Sequence, residues 1–167
     1  MVKTIKFINE LSIESLEAGL ILINNCEGER QTISNSDIAL LFAVDNNVPT
    51  VYLSLEHRED IIARELLKKQ FARYTNNFTE LSSSSQEEMD RVEDGIIRLS
   101  KAPLYIVNHP NPSIDTMHII AKKVISEKGP RLFVIDGISL LDEDNPIQLL
   151  EAMATDLNVT LIAGRTK

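Results

Sequence analysis

Each apolar run in this chain opens onto polar residues, and those residues hold the side chains that could do chemistry. The run Leu20-Ile21-Leu22-Ile23 passes into Asn24-Asn25-Cys26-Glu27-Gly28-Glu29-Arg30-Gln31-Thr32. Four apolar residues are too few for a helix core but enough for a buried strand, and a helical pattern resumes after Thr32. Strand, loop and helix in that order are where a phosphate-binding loop sits in nucleotide-binding α/β proteins. Such a loop needs glycines, so that backbone N–H groups can wrap the phosphates, and a lysine to meet their charge. Here it has one glycine, no lysine and two glutamates, Glu27 and Glu29. The position suits phosphate binding and the residues oppose it.

The other strand ends carry Glu56, Asn108, Asp136 and Gly164-Arg165. Each has an ordinary reading beside a chemical one. Glu56 at a strand end is a solvated or ion-paired carboxylate, Asp136 before Gly137 is a turn residue, and Thr32 starts a helix. Cys26 is a loop thiol beside Glu27 and Glu29, whose charge keeps it protonated and unreactive. His57, His109 and His118 show no metal-ligand spacing with one another. His109, between Asn108 and Pro110, is the histidine placed to face a cleft. No nucleophile motif of the G-x-S-x-G type occurs.

The elements that must position these residues follow from composition and period. At 167 residues the chain is expected to be one domain with a sizeable core. Hydrophobic residues make up 43% and charged residues 25%, as in ordinary globular proteins. The formal net charge of −8 repels phosphate backbones and weighs against nucleic-acid binding. Cys26 is the only cysteine, so no internal disulfide is possible and a reducing compartment is expected. No apolar run approaches ~20 residues and no signal-peptide core is present, so the expectation is a cytoplasmic protein with no membrane partner.

Residues 2–8 alternate apolar and polar and predict a short strand. Residues 10–18 predict a short helix or turn with Ile13 and Leu16 inward, forming with 2–8 an N-terminal extension (1–18) to a core at 19–167. Strands are expected at 20–24, 50–55, 104–107, 132–135 and 159–163. Helices alternate with them: one carrying Ile38, Leu41 and Phe42, capped by Ser34 or Ser36; one over about 60–74 on Ile61, Ile62, Leu66 and Leu67; one opened by a Ser85/Glu88 capping box, with Met89, Val92, Ile96 and Leu99 inward; one capped by Ser113 on Ile114, Met117, Ala121 and Val124; and one on Ile147, Leu150, Ala154 and Leu157. A loop is expected over 75–85. Alternating strands and helices predict right-handed βαβ units and a parallel sheet covered on both faces, with ligands at the carboxyl ends of the strands.

Four segments together resemble the RecA-like ATPase domain of the bacterial replicative helicase (DnaB type). They are 19–32, Val48-Pro49-Thr50-Val51-Tyr52-Leu53-Ser54-Leu55-Glu56, Ala102-Pro103-Leu104-Tyr105-Ile106 and Leu132-Phe133-Val134-Ile135-Asp136; Asp156-Leu157-Asn158-Val159 is similar to the segment before the next core strand. The resemblance runs from about Lys3 to the last residue. It implies an α/β, three-layer, RecA-like P-loop NTPase core reduced to about five strands. It places the family's phosphate-loop glycine-lysine-threonine on Arg30-Gln31-Thr32, the carboxylate that polarises the attacking water on Glu56, and the magnesium-side aspartate on Asp136 with Thr32 as the second magnesium ligand. Only the threonine of the loop triad survives. Glu27 and Glu29 beside a polyanion cost about 1 kcal/mol or more for each close contact. The segment that would face DNA is short and reads Asp142-Glu143-Asp144, and the family's later strands, with the arginine that completes a neighbour's site, have no counterpart.

Two functions follow from the resemblance. The first is a degenerate helicase-like domain without efficient ATP hydrolysis, acting as a binding or regulatory module with a protein partner, no DNA and no cofactor. The alternative is an active ATP-dependent helicase-like NTPase with ATP and magnesium, Glu56 as base, Asp136 and Thr32 on the metal, and Arg30 in place of the lysine. A third reading is an interaction protein with no small-molecule site. A core order of 3-2-4-5-1, the family's, leaves 20–24 as an apolar edge. Residues 2–8, with Lys3 and Lys6, are expected to fold back over it; otherwise two copies self-associate through that edge.

Overall fold

The apolar runs become strands of one sheet. The structure, a computed structural model, describes residues 2–23, 33–75, 85–110 and 113–164. The strands are β1 (Val2–Ile5), β2 (Gly19–Ile23), β3 (Thr50–Ser54), β4 (Leu104–Asn108), β5 (Leu132–Asp136) and β6 (Thr160–Gly164), in the order β1-β2-β6-β5-β3-β4. Every pairing is parallel. The order matches the one the resemblance implied, with a sixth strand added. That strand is the N-terminal one, shorter than expected, and it lies along β2 with Val2 opposite Leu20 and Ile5 opposite Ile23. Strands buried on both faces read as continuous apolar runs because neither face meets water. That is the pattern of β2, β3 and β5.

Side-chain alternation splits the core in two. On one face, Leu20, Leu22, Val51, Leu53, Phe133, Ile135, Leu161 and Ala163 pack against α4 (Ile114–Lys128) and α5 (Pro146–Leu157) through Met117, Ala121, Leu150, Met153 and Ala154. On the other, Ile21, Ile23, Val134 and Ile162 meet Ile38 and Phe42, while Tyr52 meets Ala39, Leu40, Ile62 and Leu66. These last residues come from α1 (Asn35–Ala39), which continues as a π-helical stretch over Leu40–Asp45, and from α2 (Glu59–Ala72). The result is three layers. Outside them, α3 (Gln86–Lys101) packs on α2. Among the described residues, no helix is long and apolar enough to cross a membrane.

The helix starts follow side-chain capping. Ser34, not Ser36, caps α1 by accepting the Asp37 N–H, and the Asp37 carboxylate accepts the Ser34 N–H in return. Ser36 is instead buried and donates to Glu65 at 2.7 Å. Ser85 and Glu88 form the expected capping box, and Ser113 caps α4.

The inward faces depart from expectation in three places. Ile13 is half-exposed and Leu11 is buried in its stead, because 10–18 forms no continuous helix but single 3-10 turns. On α2, Ile61 and Leu67 face outward while Gln70 is buried, its amide donating to the Gly95 carbonyl at 3.0 Å. On α3, Met89 and Ile96 are exposed, and the buried positions are Val92 and Gly95. A side chain at Gly95 would start 2.5 Å from the Tyr74 ring, so only glycine allows that approach. The loop expected over 75–85 lies mostly outside the described residues.

Candidate functional site

Strand register builds the site. Ser54 of β3 stands opposite Asn108 of β4 and Asp136 of β5. All three lie at carboxyl ends and share the sheet face that carries Tyr52 and Val134 in the row beneath. The Ser54 hydroxyl donates to Asp136 Oδ2 at 3.2 Å. It also accepts the His57 N–H at 2.9 Å. Asn108 Nδ2 donates to the His57 carbonyl at 2.6 Å and to the Ser54 carbonyl at 3.3 Å. The chain leaving β3 is therefore held at both backbone groups of His57. Leu55 turns into the core and its N–H reaches the Asp136 carbonyl. Gly137 has φ +77°, and a Cβ there would lie 3.3 Å from Glu56 Cβ, so a glycine is needed for β5 to turn beside this segment.

The turn at the end of β3 directs two side chains toward Asp136. His57 Nδ1 lies 3.2 Å from Asp136 Oδ2 and 3.9 Å from Glu56 Oε2. Donor atoms of Glu56, His57 and Asp136 all lie within 4.8 Å of one another. Glu56 and His57 side chains are 49% and 45% exposed and Asp136 is 14% exposed, so the group is open to solvent on one side. Below it, burial first and then the Asp136 charge push the Tyr52 phenol far above its ordinary range, so it stays protonated.

Both carboxylates singled out in the sequence thus meet at neighbouring strand ends. Asp136 is also the turn residue before Gly137. Arg30, Gln31, Thr32, Cys26 and Arg165 lie outside the described residues. The His109 N–H donates to the Ser54 carbonyl, which places its backbone at the site. His118 lies elsewhere, with Nε2 2.8 Å from an Asp156 oxygen between α4 and α5. In the acidic segment, Glu143 accepts the Ile114 N–H at the start of α4, so one of its carboxylates caps a helix.

The residue that sequence reasoning missed is His57. Spacing among the histidines does not reveal it, because its partners are carboxylates, one of them on another strand. The signal was present in the adjacent pair Glu56-His57 at a strand end. It bears on which metal fits. Magnesium takes oxygen donors and keeps several waters, and an imidazole against the Asp136 oxygen is a poor match for a magnesium nucleotide.

The model of the DnaB-like helicase C terminal domain family matches residues 12–164. The replicative DNA helicase DnaB of Treponema pallidum (strain Nichols) is 20% identical over 95% of this chain and 42% of its own length. That of Nostoc sp. (strain PCC 7120) is 25% identical over 86% of this chain and 18% of its own length. The chain therefore spans less than half of the curated relatives it matches. Among solved structures, an isolated ATPase domain superposes with a TM-score of 0.64 at 19% identity, covering 88% of this chain and 56% of that one. A DnaB-like replicative helicase, reported with its interactions with primase, superposes at 0.61 and 18% identity, covering 87% and 37%. A KaiC-like protein from Pyrococcus horikoshii OT3 gives 0.56 and 19% identity, covering 89% and 62%. At these identities the structural likeness shows the fold.

Proposed function

This chain belongs to the DnaB-like helicase C terminal domain family, and from that membership we propose that it keeps the RecA-like scaffold without efficient ATP hydrolysis or helicase activity and works as a binding or regulatory module. One observation carries the reading: Arg30-Gln31-Thr32 stands where the family's phosphate loop has glycine, lysine and threonine. Gln31 supplies no charge to a triphosphate, Arg30 crowds a position that needs a freely turning backbone, and Glu27 and Glu29 add repulsion. The imidazole of His57 against Asp136 supports the same reading at the other side of the site. The proposed partner is a protein in the cytoplasm, and DNA is not bound.

The competing reading, an active NTPase, is favoured by the meeting of Glu56 and Asp136 at adjacent strand ends. Calorimetric titration with ATP and magnesium separates the two. The expected result is no saturable binding below roughly millimolar, where the standard free energy of binding is about −4 kcal/mol. A micromolar dissociation constant that is lost on Thr32→Ala would overturn the proposal and establish the alternative. Arg30→Gly with Gln31→Lys is expected to recover nucleotide binding without helicase activity.

A further inference from the structure

We propose that Glu56, His57 and Asp136 form a site for a divalent transition-metal ion of the zinc type, bound through one imidazole nitrogen and two carboxylates without a nucleotide. The inference does not rest on the loss of ATP hydrolysis, since no phosphate-loop residue takes part.

Donor spacing carries the argument. Four-coordinate zinc has bonds of about 2.0–2.1 Å to nitrogen and oxygen, so its tetrahedral ligand atoms lie roughly 3.3–3.4 Å apart. His57 Nδ1 stands 3.2 Å from Asp136 Oδ2 and 3.9 Å from Glu56 Oε2. Movement of a half-exposed glutamate by a few tenths of an ångström closes the longer gap. Little reorganisation of the backbone is needed, because both donor-bearing segments are already held. Asp136 is fixed by strand register opposite Ser54 and receives the Ser54 hydroxyl. His57 is held at its N–H by Ser54 Oγ and at its carbonyl by Asn108. Hydrogen bonds of this kind, one step out from the ligands, orient a metal site and tune its affinity.

Donor chemistry selects the ion. Imidazole suits zinc, copper, iron and nickel, whereas magnesium and calcium take oxygen. Two carboxylates and a neutral imidazole balance a dication. The solvent-facing side leaves the fourth position to water, as in open zinc sites. The bland account of the same geometry is a hydrogen bond from His57 Nδ1–H to Asp136 with no ion, and the experiment must distinguish it.

The whole 167-residue protein, freed of metal with a chelator, is titrated with Zn²⁺ calorimetrically and with Co²⁺ by visible absorption. The expected result is one equivalent of Zn²⁺ at micromolar affinity, cobalt bands of a nitrogen-containing low-coordinate site, and no displacement by millimolar Mg²⁺. His57→Ala and Asp136→Asn each abolish the cobalt bands. Ser54→Ala keeps the stoichiometry and weakens Zn²⁺ about tenfold to hundredfold. His118→Ala changes nothing. Circular dichroism of each variant confirms that it is folded, and the wild-type cobalt spectrum reads the ligand set without any substitution. No saturable Zn²⁺ binding below millimolar overturns the proposal and leaves the hydrogen bond as the whole account. So does binding that survives His57→Ala but is lost on Cys26→Ser, or binding in which Mg²⁺ competes on equal terms.

Discussion

Substituting Ile5 tests whether the N-terminal strand is part of the core or merely laid on it. Ile5 is fully buried, stands opposite Ile23, and packs in the cluster that includes Leu11, Ile38 and Phe42. Truncating a buried isoleucine to alanine removes its transfer free energy and leaves a cavity, together costing about 2–5 kcal/mol. A central value of ~3 kcal/mol lowers the melting temperature of a chain this size by roughly 6–12 °C. Lys3→Ala, on the same strand but exposed, is expected within about 0.5 kcal/mol of the parent. Urea and thermal unfolding followed by circular dichroism measure both. Deleting residues 1–8 then asks what β1 protects. It bares the apolar strand Gly19–Ile23, whose five residues are all buried, along the side where β1 now pairs. The truncated protein is expected to dimerise or aggregate, read by light scattering after gel filtration. An Ile5→Ala variant as stable as Lys3→Ala, with a truncated protein that stays monomeric, would refute the reasoning.

Three further predictions concern other parts of the molecule. Burial alone would raise the Asp37 carboxyl, but the Ser34 hydroxyl and the Lys69 ammonium at 2.9 Å outweigh it and hold the group below its ordinary value. Its contribution to stability is therefore fully present above the ordinary aspartate range, about pH 3.9, and is lost as the pH falls through the depressed folded value; Asp37→Asn should flatten that acid limb in unfolding curves measured against pH. Gly95→Ala is expected to destabilise despite a helix-propensity gain of about 1 kcal/mol, because the new methyl meets the Tyr74 ring, and Tyr74→Ala in the same chain should reverse the sign in a double-mutant cycle. Fluorescence anisotropy at ~150 mM salt should show no micromolar binding to single-stranded DNA, since a net charge of −8 offers few clustered phosphate contacts.

Local chemistry determined a good deal on its own. Strand lengths, the alternation of strands with helices, the caps at Ser34, Ser85 and Ser113, and the punctuation at Gly129 and Gly137 are all nearest-neighbour effects, and they can be read from a dozen residues at a time. The four helicase-like segments added the strand order, which periodicity cannot supply. Tertiary structure decided what depends on partners far away in the chain. Ile61, Leu67, Met89 and Ile96 satisfy a helical period yet face outward. The reason is that α2 and α3 bury a Gln70-to-Gly95 hydrogen bond between them, and a polar group enters a core once a specific carbonyl satisfies it. His57 and Asp136, 79 positions apart, are joined because β3 and β5 pair with Ser54 opposite Asp136 and because Ser54 and Asn108 hold the turn that aims the imidazole. No window along the sequence contains both ends of that contact, so the carboxylates were visible as strand-end residues while the histidine between them became visible only in the fold.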